Sequence, residues 1–252
     1  MFLVHVYPLL RGVAPHTLTY FSQIRFQRGA VIMAKLRNRE VPVIVARCES
    51  AKDARTRLRR QDHELSPIKK QEPHFPFHAA LLDAVEKVAA ENAAPAGALL
   101  EIFVGKSTPK NLTSTMLPLC EAQPLGMPDK RAVQAAVSER DELLHTMARE
   151  LLAQQKSLLV VTPTRHEALR IHRALAALPH EHVVVLHGNL TARTLKNELH
   201  RAQEPGTKVI IASQSHAAVP RADFGLCYIE SSTSPYYSRD VRPLADMRDV
   251  FD

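Results

Sequence analysis

The stretch from Ser138 to Ser232 constrains the fold most, because apolar runs too short for helices alternate there with segments of helical period. Ser138 to Lys156 carries Leu143, Leu144, Met147 and Leu151, which share one helical face. Ser157 to Thr162 is a continuous apolar run between polar residues, the pattern of a strand buried on both faces. At Thr164-Arg-His-Glu167 the threonine hydroxyl is placed to accept from the glutamate amide while the glutamate reaches back, a capping box that starts a helix. Ile171, Leu175 and Leu178 give that helix its buried face. Val183 to Leu186 reads as the next strand, and Thr191 caps a helix carrying Leu195 and Leu199. Pro205-Gly206 ends that helix, and Lys208 to Ala212 and Leu226 to Ile229 read as further strands. Strands alternating with helices over short connections predict an α/β fold with a parallel, doubly wound sheet.

Such sheets bind ligands at the carboxyl ends of their strands. Those ends read Thr162-Pro-Thr-Arg165, His187-Gly-Asn189, Ala212-Ser-Gln-Ser-His216 and Glu230-Ser-Ser-Thr233. Helix capping accounts for Thr164 and Thr191 by itself. Hydroxyls and helix N-termini are equally what a phosphate backbone needs. The net charge of +7 and pI of about 9.5 point to a polyanion partner or to a basic, solubilising surface.

Other classes of site find little support. Cys48, Cys120 and Cys227 have no metal-ligand spacing and read as small buried hydrophobes in a reducing compartment. His180 with His182, and His63, His74 and His78, lack helical spacing with a carboxylate, so no metal is expected. Ser213 and Ser215 near His216 suggest nucleophilic catalysis, but no Gly-x-Ser-x-Gly elbow supports it. No apolar run approaches a membrane span, and Met1 to Leu10 lacks a basic leader, so a cytoplasmic protein is expected.

The chain divides into three expected parts: a β-rich module over 1–72, a helical connector and linker over 73–130, and the α/β module over 131–252. Phe2 to Val6, Tyr20 to Phe26, Ala30 to Lys35 and Val41 to Ala46 are strand candidates, with turns at Arg28-Gly29 and Asn38-Arg-Glu40. They suggest a small barrel or sandwich. Residues 47–70 are rich in Lys and Arg, which suits a solvated loop or sequence-blind phosphate contact. His78 to Asn92 is an amphipathic helix through Leu81, Leu82, Val85 and Val88, and Ala98 to Val104 is a second, short one. Lys106 to Lys130, rich in Pro, Thr and Ser, reads as a linker.

Four segments together resemble the first motor lobe of the primosomal protein N′ family, the PriA-type superfamily 2 DNA helicases of replication restart. They are Leu158-Leu-Val-Val-Thr-Pro-Thr164, Val185-Leu-His-Gly-Asn-Leu-Thr191, Thr207-Lys-Val-Ile-Ile-Ala-Ser-Gln-Ser-His216 and Gly225-Leu-Cys-Tyr-Ile-Glu230. The first 72 residues are similar to the family's small barrel-like domain that captures the 3′ end of a DNA strand, with the helix pair as its connector. In that resemblance the family's Phe-Asp-Tyr falls on Leu18-Thr19-Tyr20, its turn glycine on Gly29 and a lysine on Lys69. Thr19 stands where the family reads the terminal hydroxyl with Asp, and a hydroxyl bonds it more weakly than a carboxylate. Leu18 lacks the aromatic face that stacks on a base. The resemblance further implies nucleic-acid contact through Thr162, Thr164, Arg165, Ser213, Gln214 and Ser215.

The nucleotide site departs from the family. Where the family has its phosphate-binding Gly-x-Gly-Lys-Thr loop, this sequence reads Val137-Ser-Glu-Arg-Asp141, without glycine or lysine. The Asp-Glu-Glu-His motif falls on Glu230-Ser-Ser-Thr233, leaving Glu230 as a remnant. The sequence has length for one motor lobe, and neither the second lobe nor the zinc-binding cysteines has a counterpart. Phosphoryl transfer depends on positioning and charge stabilisation, so ATP hydrolysis and helicase activity are expected to be lost. The expected function is binding of branched, single-stranded or 3′-ended DNA in replication restart, with no catalytic residues, cofactor or metal. Replication and single-strand-binding proteins are further expected partners. The alternative is a non-catalytic scaffold that docks to replication proteins.

Overall fold

The computed structural model describes residues 1–9, 17–37, 39–52, 65–69, 71, 77, 79–104, 129–219, 221, 223–238 and 244–251. The chain forms two compact units, Met1–Met116 with Ser238–Asp252, and Leu117–Tyr237. The expectations for the basic residues 53–60, for His63, His74, His78 and Cys120, and for the linker up to residue 128 fall outside the described residues.

In the first unit, strands β1 (Phe2–Pro8), β2 (Leu18–Ser22), β3 (Val31–Leu36) and β4 (Arg39–Ser50) form an antiparallel sheet in the order β2-β1-β4-β3. The two-residue period of β1 puts Val4 and Val6 into a core with Tyr20, Phe26, Ala30, Ile32, Ala34, Val43, Val45 and Ile68. The sheet curls into a half-barrel. Tyr20 on one edge strand donates its hydroxyl to the Lys35 carbonyl on the other, at 3.0 Å. The chain after β4 bridges this seam. Ile68 N donates to Phe21 O at 2.9 Å, and the Gln71 amide bonds the NH and carbonyl of Met33 at 2.8 and 2.7 Å. The strand expected over Tyr20–Phe26 stops at Ser22, because Phe26 leaves the sheet to fill its interior. Gly29, at φ 88°, forms the turn into β3, and a Cβ there would lie 2.1 Å from the Phe77 carbonyl oxygen.

Helix α1 (Ala79–Glu91) buries Leu82, Val85, Val88 and Ala89. Helix α2 (Ala96–Val104) follows, and Phe103 meets Phe251 of a last short helix (Arg248–Phe251) edge-on, with centroids 6.1 Å apart. These helices pack within the first unit rather than standing apart as a connector, because α1 has an apolar face to bury.

The second unit runs α3 (Val137–Ala153), β5 (Ser157–Thr162), α4 (Arg165–Ala174), β6 (Val183–Leu186), α5 (Ala192–Gln203), β7 (Val209–Ser213) and β8 (Phe224–Ile229). All its strand pairs are parallel, in the order β6-β7-β5-β8. β5 is buried along its whole length, as its unbroken apolar run requires. Leu144, Ala148, Leu158, Val160, Ile171, Leu175 and Ile211 centre the core. Thr164 caps α4, its hydroxyl accepting from Glu167 N at 3.3 Å. The glutamate reaches back to that hydroxyl, at 2.9 Å, completing the cap side chain to side chain. Thr191 caps α5 the same way, accepting from Thr194 N at 3.2 Å. Cys227, expected to be buried, is exposed because it lies on the edge strand β8. Among the described residues, no helix is long and apolar enough to cross a membrane.

Candidate functional site

Three neighbouring strands, β6, β7 and β5, bring Arg165, His187, Ser213, Ser215 and His216 to their carboxyl ends. Arg165 is exposed at the first turn of α4 and has no ion-pair partner among the described residues. His187 follows β6 at 6% exposure, and its Nδ1 accepts from Asn189 N at 3.3 Å. Ser213 Oγ and Ser215 Oγ stand 3.1 and 2.9 Å from His216 Nδ1. Burial, then the charge of Arg165, holds His187 below the ordinary imidazole pKa, and burial, then His187, does so for His216. Both rings are therefore neutral near pH 7. The cluster offers one cation and several uncharged donors.

The other residues expected at these ends are committed to bonds within the chain. Thr162 is fully buried, and its hydroxyl bonds the carbonyls of Thr164 and Ala212 at 3.2 and 3.3 Å. The Thr164 hydroxyl is committed to its cap. Gln214 donates to Tyr236 O at 2.8 Å, away from the serines' partner. The sequence showed both histidines at these ends but gave the contact role to the hydroxyls, Gln214 and Arg165; His187 directly follows β6, and His216 ends the short helical turn after β7.

Glu230 closes β8 at 1% exposure. Its Oε1 accepts from Arg140 Nη2 at 3.0 Å, Arg170 Nη2 at 2.9 Å and Ser231 Oγ at 3.3 Å, and its Oε2 from the Tyr228 hydroxyl at 2.9 Å. Three donors crowd Oε1, while Oε2 has one donor and keeps a lone pair open. Arg170 also bonds Asp141, so two guanidinium groups face two carboxyl groups. Burial opposes the charge of Arg170, but Asp141 and Glu230 hold its pKa above the ordinary value. Burial, then Glu230, pushes the Tyr228 phenol up to about 12. The fully buried Tyr237 hydroxyl ties the backbone here, donating to Val161 O and Glu230 O at 2.9 and 2.8 Å. Sequence reasoning missed Arg140, although it lies four residues before the buried Leu144 and so on the inward stripe of α3.

In the half-barrel the four expected residues separate. Leu18 packs against the core and Thr19, next along β2, faces the opposite side. Gly29 is a buried turn. Lys69 is exposed and paired with Glu40 at 3.3 Å. Sequence reasoning did not place beside Thr19 the two residues that bond in line with it. His5 Nδ1 lies 3.1 Å from Thr19 Oγ1, and His5 Nε2 lies 2.9 Å from Glu49 Oε1.

Elsewhere, His145, Arg149 and Leu152 of α3 line a cleft of about 480 Å³ with Leu178, Pro179 and His182. Among the described residues, no three His, Cys, Asp or Glu side chains gather as metal ligands. In comparison with known proteins, no family model matches the chain and no curated protein matches it.

Proposed function

We propose that this chain binds branched or 3′-ended DNA in replication restart and does not hydrolyse ATP. In this reading the half-barrel unit is a DNA-end-binding domain, and the parallel-sheet unit is a doubly wound, helicase-like lobe. The observation that carries it is the cluster of Arg165, His187, Ser213, Ser215 and His216 across three adjacent strand ends. One free cation among neutral donors suits a phosphodiester, whose single charge needs positioning more than neutralising. The net charge of +7 supports the same class of partner.

The state of Glu230 supports the absence of hydrolysis. A magnesium-binding carboxylate offers its charge to the metal, and at Glu230 two guanidinium groups already hold Oε1. Arg140, one of the donors, belongs to the Val137–Asp141 segment where the resemblance puts the phosphate loop. That segment is the first turn of α3 and carries no glycine. The residues present do not fit a nucleotide with its metal.

Anisotropy of labelled forked DNA over a salt series tests the reading. Binding that weakens steeply with salt is expected. Magnesium-dependent ATP hydrolysis by the pure protein, abolished by Glu230→Ala, would overturn the non-hydrolytic part. Absence of binding at low salt would favour protein docking instead. The cleft beside Arg149, apolar at Leu152, Leu178 and Pro179, supports that second reading.

A further inference from the structure

His145, Arg149 and Leu152 follow one another at four- and three-residue steps along α3, so they share one of its faces. That face and the segment from Ala177 to His182 form the walls of the cleft of about 480 Å³. The end of α3 leads into β5 and His182 stands directly before β6, so the cleft lies at the amino edge of the sheet. The Arg165 cluster lies at the carboxyl edge. The second wall is already held by the chain. Leu178 N donates to Leu175 O and His182 N to Pro179 O, each at 3.0 Å, and Arg201 Nη2 donates to His180 O at 2.6 Å. His182 Nδ1 lies 2.8 Å from Thr207 O. A carbonyl only accepts, so that nitrogen donates whatever the charge of the ring, and the ring is fixed by it.

The lining has an apolar part and a polar part. Leu178 is buried and Leu152 half-buried, with Ala177 and Pro179 beside them. Arg149 is exposed, and neither it nor His145 has a hydrogen bond or ion pair among the described residues. Arg170, Arg201 and Arg221 of the same unit are spent on carboxyl groups and carbonyls. Among the described residues no carboxyl group lines the cleft. A cation therefore finds no counter-charge here, and a wholly apolar ligand leaves the guanidinium unused. An anion with an apolar body satisfies both parts. The size also selects the occupant. Small-molecule sites run to about 300–1,000 Å³. A stable protein interface takes about 20–30 residues a side, and seven line this cleft. We propose that the cleft binds a small alkyl or aryl carboxylate, its charge on Arg149 and its apolar body against Leu152, Leu178 and Pro179. The inference does not depend on the DNA-binding reading.

The test uses octanoate, 1-octanol and butanoate with the full chain at about pH 7, followed by calorimetry and by amide nitrogen–proton spectra. Octanoate should bind about three- to tenfold more tightly than octanol, the value of one charge-assisted hydrogen bond at a partly exposed site. It should bind at least about tenfold more tightly than butanoate, which lacks four methylene groups. Arg149→Gln should bring the octanoate-to-octanol ratio to about one and leave octanol affinity unchanged. Ala177→Glu, on an exposed turn where folding tolerates the change, should abolish octanoate binding by placing a like charge in the cleft. The amide shifts should centre on Arg149, Leu152, Leu178 and His182. No saturable binding of octanoate, equal affinity for octanol, a ratio untouched by Arg149→Gln, or shifts centred on the carboxyl-edge loops would each overturn the inference. So would an acidic peptide that binds at this cleft while octanoate does not, which would assign it to protein docking.

Discussion

Removing the Glu230 carboxyl would take away the acceptor that Arg140, Arg170 and the Tyr228 phenol share, leaving Asp141 as the one carboxyl group facing two guanidinium groups. Breaking a buried pair from one side costs about 3–5 kcal/mol, because the remaining charge stays desolvated. Glu230→Ala should therefore lower the stability of the second unit by about that amount in urea unfolding. A loss under about 1 kcal/mol would mean that water reaches the arginines. The histidines act in the opposite sense to a salt-bridged group. His187 and His216 are held below the ordinary imidazole value, so the unfolded chain takes up protons first. Their contribution is complete above about pH 6.5 and declines as pH falls from there through the lower folded values. Melting temperatures between about pH 8 and 5 should show this decline, and a chain carrying His187→Gln with His216→Gln should show a flatter one.

At the level of elements, two turns have opposite relations to their residues. Gly29 sits at φ 88° with a backbone oxygen where a Cβ would go. Gly29→Ala should cost about 2–4 kcal/mol, combining left-handed strain with overpacking. Gln155 ends α3 at φ 57°, with Lys156 N bonded to Leu151 O at 2.9 Å, a C-terminal turn that favours glycine. Gln155→Gly should stabilise by about 0.5–1 kcal/mol in thermal unfolding. The elements of the second unit were legible because each signal is local. The run Leu158–Val161 has no polar face, and Thr164 and Thr191 announce their helices. A small barrel was one of the two forms the strand pattern suggested, but the contacts that make the half-barrel curl were not legible. The curl depends on Tyr20 reaching Lys35 and on Gln71 reaching Met33, contacts between segments whose separation no periodicity encodes. The Thr19–His5–Glu49 line was hidden for the same reason, since it exists only once β1 lies between β2 and β4.

For the whole molecule, a ligand that binds only the folded state raises the melting temperature, the stabilisation growing with the logarithm of ligand concentration over Kd. Forked DNA should raise it at low salt and lose the effect as salt increases. ATP with magnesium should leave it unmoved, and a rise of several degrees would mean that a nucleotide site survives. The carboxyl-end cluster was partly legible at this scale, because the rule for parallel sheets names the right loops. Which side chains face outward was not, because Thr162 and Gln214 look the same in sequence as Ser213 and Ser215. The cluster around Glu230 also bears on descent. Its charges balance only as a set, so replacing Arg140, Arg170 or Glu230 singly passes through a destabilised chain with an unmatched interior charge. Each member of the set is therefore held in place by the others, and the set is harder to exchange one residue at a time than together.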